Sequence, residues 1–400
     1  LSNIVTLYQR LKGDKQIWMI ATFLLLASIL AVYSSIGSMA YRHKGGNTEY
    51  FLIEQITYVG LGFGFMWLFY RFDYRKLSRL APYMLLICLG LLVYTLFFGH
   101  EIHNAKRWLM IPFINKTIQT SDLAKLALYI YLARTLATKQ DVIKDMRAAW
   151  IPLFLPIVLI CAIIAPNNLS TALIIFVTAF LMLFIGRISF KFLFSLSLVI
   201  SIVGVAVFLL GLIFPNHIRT ETWISRVQNF LKQDDSTFQV VQSKIAIANG
   251  GWNGLGPGHS LQKNFLPEAW SDFIYSIICE EYGLIGGIVV MILYMWLLIR
   301  CVKIVIRSPK AFGAILAMGL CLDIVINAFA NICVSVQLLP ATGLTLPMIS
   351  KGGTSLIMYS ISFGIILSVS RIVEGYIDLD KNVDKSIVSP QNIQPDENTN

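Results

Sequence analysis

Apolar runs long enough to cross a bilayer recur along nearly the whole chain, separated by short polar connectors. They predict helices at about 17–37, 55–70, 81–99, 121–138, 149–165, 169–186, 192–214, 274–299, 312–335 and 354–371. The runs are continuous rather than alternating, which argues against a transmembrane β-barrel. The expected fold is therefore an all-α polytopic membrane protein of about ten transmembrane helices, with one large loop at about 215–271 between the seventh and eighth. Residues 1–16 precede the transmembrane domain at 17–371. A polar tail at 372–400, rich in Asp, Asn, Gln and Ser, is expected to be disordered.

Composition agrees: the 400 residues are 56% hydrophobic and only 14% charged, with a mean hydropathy of +0.69. The net charge of +10 would suggest nucleic acid in a soluble protein, but no basic–aromatic groove is present and the charge flanks the spans. With the N-terminus inside, inside segments hold twenty Lys and Arg, counting Arg134 and Arg371 in the span ends beside them, and outside segments eleven; Lys125 lies within a span and belongs to neither. Both termini are then cytoplasmic and the 215–271 loop is extracytoplasmic, where no ATP is available. No Walker-type phosphate loop is found either. The six cysteines have no metal-ligand spacing and read as buried free thiols. Ser38-Met39-Ala40 faintly resembles a signal-peptidase site. The apolar run from Ile17 to Ile36 is longer than a signal-peptide core, however, and reads as an uncleaved first span.

The richest polar stretch is Gly250 to Phe273, GGWNGLGPGHSLQKNFLPEAWSDF. Its five glycines imply a bend or a close backbone approach. Pro267 suits the first turn of a helix, which would put Glu268 and Asp272 on one face, continued by Glu280. Asp272 lies at the mouth of an apolar helix, a costly place for a carboxylate without a task. There it could act as a general base toward a sugar hydroxyl. Arg219, Arg226, Lys232, Lys244 and Lys263 in the same loop resemble an electropositive funnel for a pyrophosphate-bearing substrate; each alone also fits a solvated loop. Ser260, Gln262 and Glu268 are further candidate substrate contacts. Lys106-Arg107-Trp108 follows the third span, and Arg107 could bind a phosphate or a lipid head group.

Asp122 and Lys125, three apart in TSDLAKLALYIYLA, share a helix face. They read either as a structural ion pair or as the polar lining of a substrate cavity. Thr120 or Ser121 could cap that helix. The segment LLPATGLTLPMISKGGTSL, from Leu338 to Leu356, breaks the apolar pattern with prolines and glycines. Irregular backbone at that depth is tolerated only inside protein or beside a cavity, so this segment is expected to re-enter and pack against the site. His103, His217 and His259 show no metal spacing.

These residues include AKRWL at 105–109, SDLAK at 121–125, FQVVQSKIAIANGG at 238–251, GLGPGHSLQKNFLPEAWSDFIYSIICEEYGLIG at 254–286 and LLPATGLTLPMISKGGTS at 338–355. Through them the chain, over about 17–371, resembles the SEDS family, the FtsW/RodA group of shape, elongation, division and sporulation proteins. QTSDLAK and its surroundings, from Asn104 to Lys125, are most similar to the division branch of Bacteroidetes type. The resemblance implies a peptidoglycan glycosyltransferase of the cytoplasmic membrane that polymerises lipid II on the outer face. Its implied partners are a class B penicillin-binding protein transpeptidase, other divisome proteins and membrane lipids, with no nucleic acid. It puts the family's essential Asp on Asp272 and its buried acid–base pair on Asp122 and Lys125, with Asp where Glu is usual. Arg107, Arg219, Arg226 and Lys263 become candidates to neutralise the departing pyrophosphate. No cofactor is required; a divalent cation could share that work, although no dedicated ligand cluster is apparent. The chain departs from the family at Trp270, Ser271, Lys351 and the PNNLST stretch at 166–171. Ten spans with intramembrane charges also fit a lipid II transporter, and a non-catalytic scaffold that recruits a transpeptidase is a third reading.

Overall fold

The computed structural model describes residues 12–37, 48–102, 105–111, 116–139, 146–214, 219–232 and 238–388. Ser38-Met39-Ala40, His103 and His217 lie outside them. Helices occupy every expected apolar run: α1 Lys15–Ser35, α2 Thr48–Arg71, α3 Tyr74–Phe98, α4 Thr120–Thr138, α5 Met146–Ile164, α6 Leu169–Ile185 and α7 Phe190–Ile213. After the long loop come α10 Ile274–Arg307, α11 Ala311–Ser335 and α12 Gly353–Val388. Seven of these, α1, α2, α3, α7, α10, α11 and the Gly353–Tyr376 part of α12, are long and apolar enough to cross a membrane. The fold is thus a multi-pass helical membrane bundle.

Burial explains the uneven hydropathy. α4, which carries Asp122 and Lys125, packs against α3, α5, α6 and α11, and most of its side chains are buried. A central helix can hold polar groups because partners surround it. By contrast, α7 is apolar all round and leaves Phe190 and Phe194 about three-quarters exposed (75% and 73%), as a lipid-facing helix would. All six cysteines are free, and all but Cys333 are buried.

Four features differ from the sequence reading. The polar segment after α3 is a three-stranded antiparallel sheet: β1 His100–Ile102, β2 Ala105–Ile111 and β3 Lys116–Gln119, with Trp108 opposite Gln119 and Ile111 opposite Lys116. The long loop contains two helices, α8 Thr220–Lys232 and α9 Phe238–Gly250. The tail does not lose structure at residue 372, since α12 stays helical to Val388; residues 389–400 lie outside the described ones. Neither Thr120 nor Ser121 caps α4. Gln119 occupies the N-cap without a side-chain capping bond, and its amide donates to the Ser121 hydroxyl instead.

α10 is also longer than the expected run and is broken at Gly283, which sits at φ 68° and ψ −172°. The chain after α9 lies in the break. Leu255 and Gly256 donate main-chain N–H bonds to the carbonyls of Glu280 and Glu281, each at 2.9 Å, and Leu284 donates back to Gly251 at 2.9 Å. A Cβ on Gly254 would collide with the Glu281 carbonyl, and one on Gly283 with that of Trp252. The glycine run is therefore a backbone-to-backbone dock, which satisfies polar groups that a broken helix would otherwise leave unpaired.

Candidate active site

The dock fixes the start of the loop; Glu280 fixes its middle. This buried carboxylate accepts the Ser260 hydroxyl and, at 3.2 Å, the N–H of Gln262. Ser260 and Gln262, expected as substrate contacts, are thus buried and anchored on Glu280. Glu280 does not extend a face shared with Glu268 and Asp272. No helix starts at Pro267: after a short 3₁₀ turn at Gln262–Asn264 the chain runs in turns to Phe273, and Glu268 sits at φ +56°. A left-handed residue interrupts a helix, so α10 begins only at Ile274. The Glu268 carbonyl accepts the N–H groups of Ser271 and Asp272 at 3.0 and 3.1 Å, a single turn that delivers Asp272 to the helix mouth.

The irregular stretch 338–352, which precedes α12 within the Leu338–Leu356 segment, packs on this turn. Asn331 of α11 donates its side-chain amide to the carbonyls of Asp272 (2.7 Å) and Leu344 (2.6 Å). Ser350 donates its hydroxyl to the Ser271 carbonyl at 2.6 Å, and the Lys351 N–H donates to that of Trp270 at 2.9 Å. The Asp272 carboxylate accepts the Ser271 hydroxyl at 3.0 Å. Gly343 lies beside it at φ +71°, with its Cβ position 3.4 Å from Oδ2.

Arg107 from β2 and Arg226 from α8 both act electrostatically on Asp272, and Arg219, at the start of α8, lies close enough to repel both of them. Burial lowers the Arg107 pKa to about 10, the repulsion of Arg219 and Arg226 adds to it, and the charge of Asp272 opposes. Arg226 is lowered too, by burial first and Arg219 second. Arg226 donates to the Thr342 carbonyl at 3.2 Å, and Arg107 to that of Asn167. Arg107 also ends an open cleft whose other walls are apolar Leu92 and Leu96 of α3 and polar Asn167 and Asn168. Three mutually repelling guanidiniums, two of them acting on one carboxylate, suit a multivalent anion. Lys263 instead donates to the Gly258 carbonyl at 2.7 Å within its own loop, and Lys244 is exposed.

A second polar group borders the site and has no counterpart in the sequence reading. Glu54 of α2 pairs with Lys116 of β3 at 2.5 Å and with Lys351 at 3.5 Å. Lys351 also lies over the Phe51 ring, and burial lowers its pKa, while Glu54 opposes.

Asp122 and Lys125 form the expected pair at 3.6 Å, but inside the bundle and as part of a larger network. Lys125 is closer to Asp323 of α11, at 3.2 Å, and donates to the Tyr359 hydroxyl of α12 at 3.1 Å. Asp323 accepts the Tyr129 hydroxyl at 3.0 Å. Both residues thus sit in a buried network, and neither lines the Arg107 cleft. Asp323, a lone acid in an apolar run, could have been found by the same rule as Asp272. Among the described residues no group of three or more His, Cys, Asp or Glu could hold a metal ion.

A profile of the FtsW/RodA/SpoVE family, described as cell cycle protein, matches residues 14–374. The chain belongs to this family. It is similar to the probable peptidoglycan glycosyltransferase FtsW of Geobacter sulfurreducens, 34% identical over 90% of this chain and 96% of that protein. It is also similar to the stage V sporulation protein E of Bacillus subtilis, 32% identical over 90% of this chain and 97% of the relative. A chain in the solved structure on coordination of polymerization and crosslinking by a peptidoglycan synthase complex superposes with a TM-score of 0.68. It is 26% identical and is covered over 98% of its length and 90% of this one. The rod shape determining protein RodA of Thermus thermophilus shares the fold, with a TM-score of 0.64 at 22% identity, over 98% of that chain and 91% of this one.

Proposed function

We propose that this FtsW/RodA/SpoVE family member is a peptidoglycan glycosyltransferase that polymerises lipid II, with Asp272 as general base. The observation behind this reading is the grouping of Arg107 and Arg226 with Asp272, and of Arg219 with those two arginines. Lipid II carries its own activated pyrophosphate, so no nucleotide is needed. The acceptor 4-hydroxyl oxygen attacks the anomeric carbon of the donor sugar as its proton passes to Asp272. The bond to the pyrophosphate oxygen breaks, and the lipid pyrophosphate leaves with its charge held by the three arginines. One carboxylate and a cationic cradle suffice for inversion from an α-linked donor to a β-linked product.

The site faces outward in this reading, with both termini cytoplasmic and ten spans; the excess of Lys and Arg on the opposite connectors supports that orientation. The chain works beside a class B penicillin-binding protein, in keeping with its likeness to a chain of a synthase complex. A division role, and a lineage of Bacteroidetes type, rest on QTSDLAK and its surroundings. Purified protein with its class B partner should convert lipid II into glycan strands. Absence of strands, together with lipid II crossing liposome membranes in a manner insensitive to Asp272→Ala, would favour the transporter. A tagged copy at midcell in growing cells would support division; placement along the side wall would contradict it.

A further inference from the structure

The buried network around Lys125 contains one more acid than base. Asp122 and Asp323 are 6% and 3% exposed, and Lys125 is 6% exposed. Asp323 is fully served: Oδ2 lies 3.2 Å from the ammonium, and Oδ1 accepts Tyr129 at 3.0 Å and Asn327 at 3.1 Å. Asp122 has only the longer 3.6 Å approach of the same ammonium at Oδ1, and its buried Oδ2 has no hydrogen-bond partner. Lys125 is the only base within ion-pair distance of either carboxylate among the described residues. Its true counter-ion is thus Asp323, and Asp122 is the odd group.

The groups facing Asp122 do not cancel its charge. They are Lys125 on its own helix, Asp323 on α11 and Tyr359 on α12, whose hydroxyl is taken up by Lys125. α3 from Leu85 to Phe98, α5 from Ile151 onward and α6 throughout carry no charged residue. From α3 the Cys88 thiol bonds the Leu123 carbonyl. Arg107 of β2 lines a cleft with Thr120 and Ser121, just before Asp122, but donates to Asn167. A second uncompensated anion at this depth is strongly disfavoured, so it must be neutralised.

We infer that Asp122 is a binding site for one small monovalent cation, a proton or Na⁺, taken up at its unpartnered buried Oδ2. This is independent of the glycosyl transfer at Asp272.

The test is infrared difference spectroscopy on the full chain in lipid nanodiscs at neutral pH, in choline chloride and in NaCl. The wild type should show a protonated-carboxyl C=O band in choline chloride that is lost in Asp122→Asn and displaced in Asp122→Glu. Persistence of the band in NaCl assigns the site to a proton; its loss in NaCl assigns exchange for Na⁺. Identical wild-type and Asp122→Asn spectra in choline chloride would overturn the inference. Thermal unfolding gives a second reading. Asp122→Asn should leave Tm unchanged or raised while Asp323→Asn lowers it, and an equal loss in both variants would contradict the assignment.

Discussion

The side-chain amide nitrogen of Asn331 lies 2.7 Å from the main-chain carbonyl oxygen of Asp272. The same amide holds the Leu344 carbonyl at 2.6 Å, so one buried side chain ties the turn bearing the carboxylate to the irregular stretch 338–352. Replacing it with leucine leaves two carbonyls without that donor, at a cost of about 1–3 kcal/mol. A displaced base near the reacting atoms can lower the rate on the order of 100-fold. Asn331→Leu should therefore reduce strand synthesis from lipid II more than it reduces lipid II binding. An equal loss of both would mean that Asn331 serves general stability instead.

The arginine cluster predicts a charge effect. Removing one donor from a leaving-group cradle costs roughly 10²–10³ in rate, so Arg107→Ala and Arg226→Ala should each fall in that range by single-turnover assay. Arg226→Lys should recover part of the loss, because a point charge restores Coulomb attraction without the fork geometry.

The sign of the pH dependence follows from Arg107. Its folded pKa is lowered to about 10, below that of the solvated guanidinium in the unfolded chain. The folded state therefore binds fewer protons between those values, and the penalty of the charged cluster is relieved as pH rises through about 10. In thermal unfolding in detergent, the difference between wild type and Arg107→Ala should be flat below about pH 9 and should turn in favour of the wild type as pH rises above about 10. Saturating pyrophosphate should flatten that gain. A difference that stays constant with pH would contradict the placement of the cluster.

The broken helix predicts a contrast between two glycines of one loop. Both have positive φ, but a Cβ on Gly254 meets the Glu281 carbonyl whereas one on Gly258 meets open space. Gly254→Ala should lose the folded protein in detergent, measured by yield and Tm. Gly258→Ala should cost only the roughly 1 kcal/mol of a non-glycine residue in the left-handed region. Comparable losses in the two variants would show that the backbone dock is not what requires glycine.

Much of this architecture can be read from the chain. Continuous apolar runs give the helices, and the punctuation in Leu338–Leu356 gives the segment that packs on Asp272. What stays hidden is tertiary. Nothing near Glu268 signals the left-handed conformation that ends the expected helix, and nothing near Glu280 says that the loop claims its carboxylate. The pairing of AKRWLMI with KTIQ is masked because a short three-stranded sheet has only a few alternating positions. Asp323 is legible as a lone acid in an apolar run; its partner Lys125, and the partners Lys116 and Lys351 of Glu54, require the fold.

The central claim concerns one proton at Asp272. The most direct measurement is strand synthesis from lipid II by the purified complex with its class B partner, comparing wild type, Asp272→Ala and Asp272→Asn at matched folding and matched lipid II binding. Both variants should bind lipid II yet release no lipid pyrophosphate and form no strand. Strand synthesis by either variant at a rate near that of the wild type would contradict the role of Asp272 as the base.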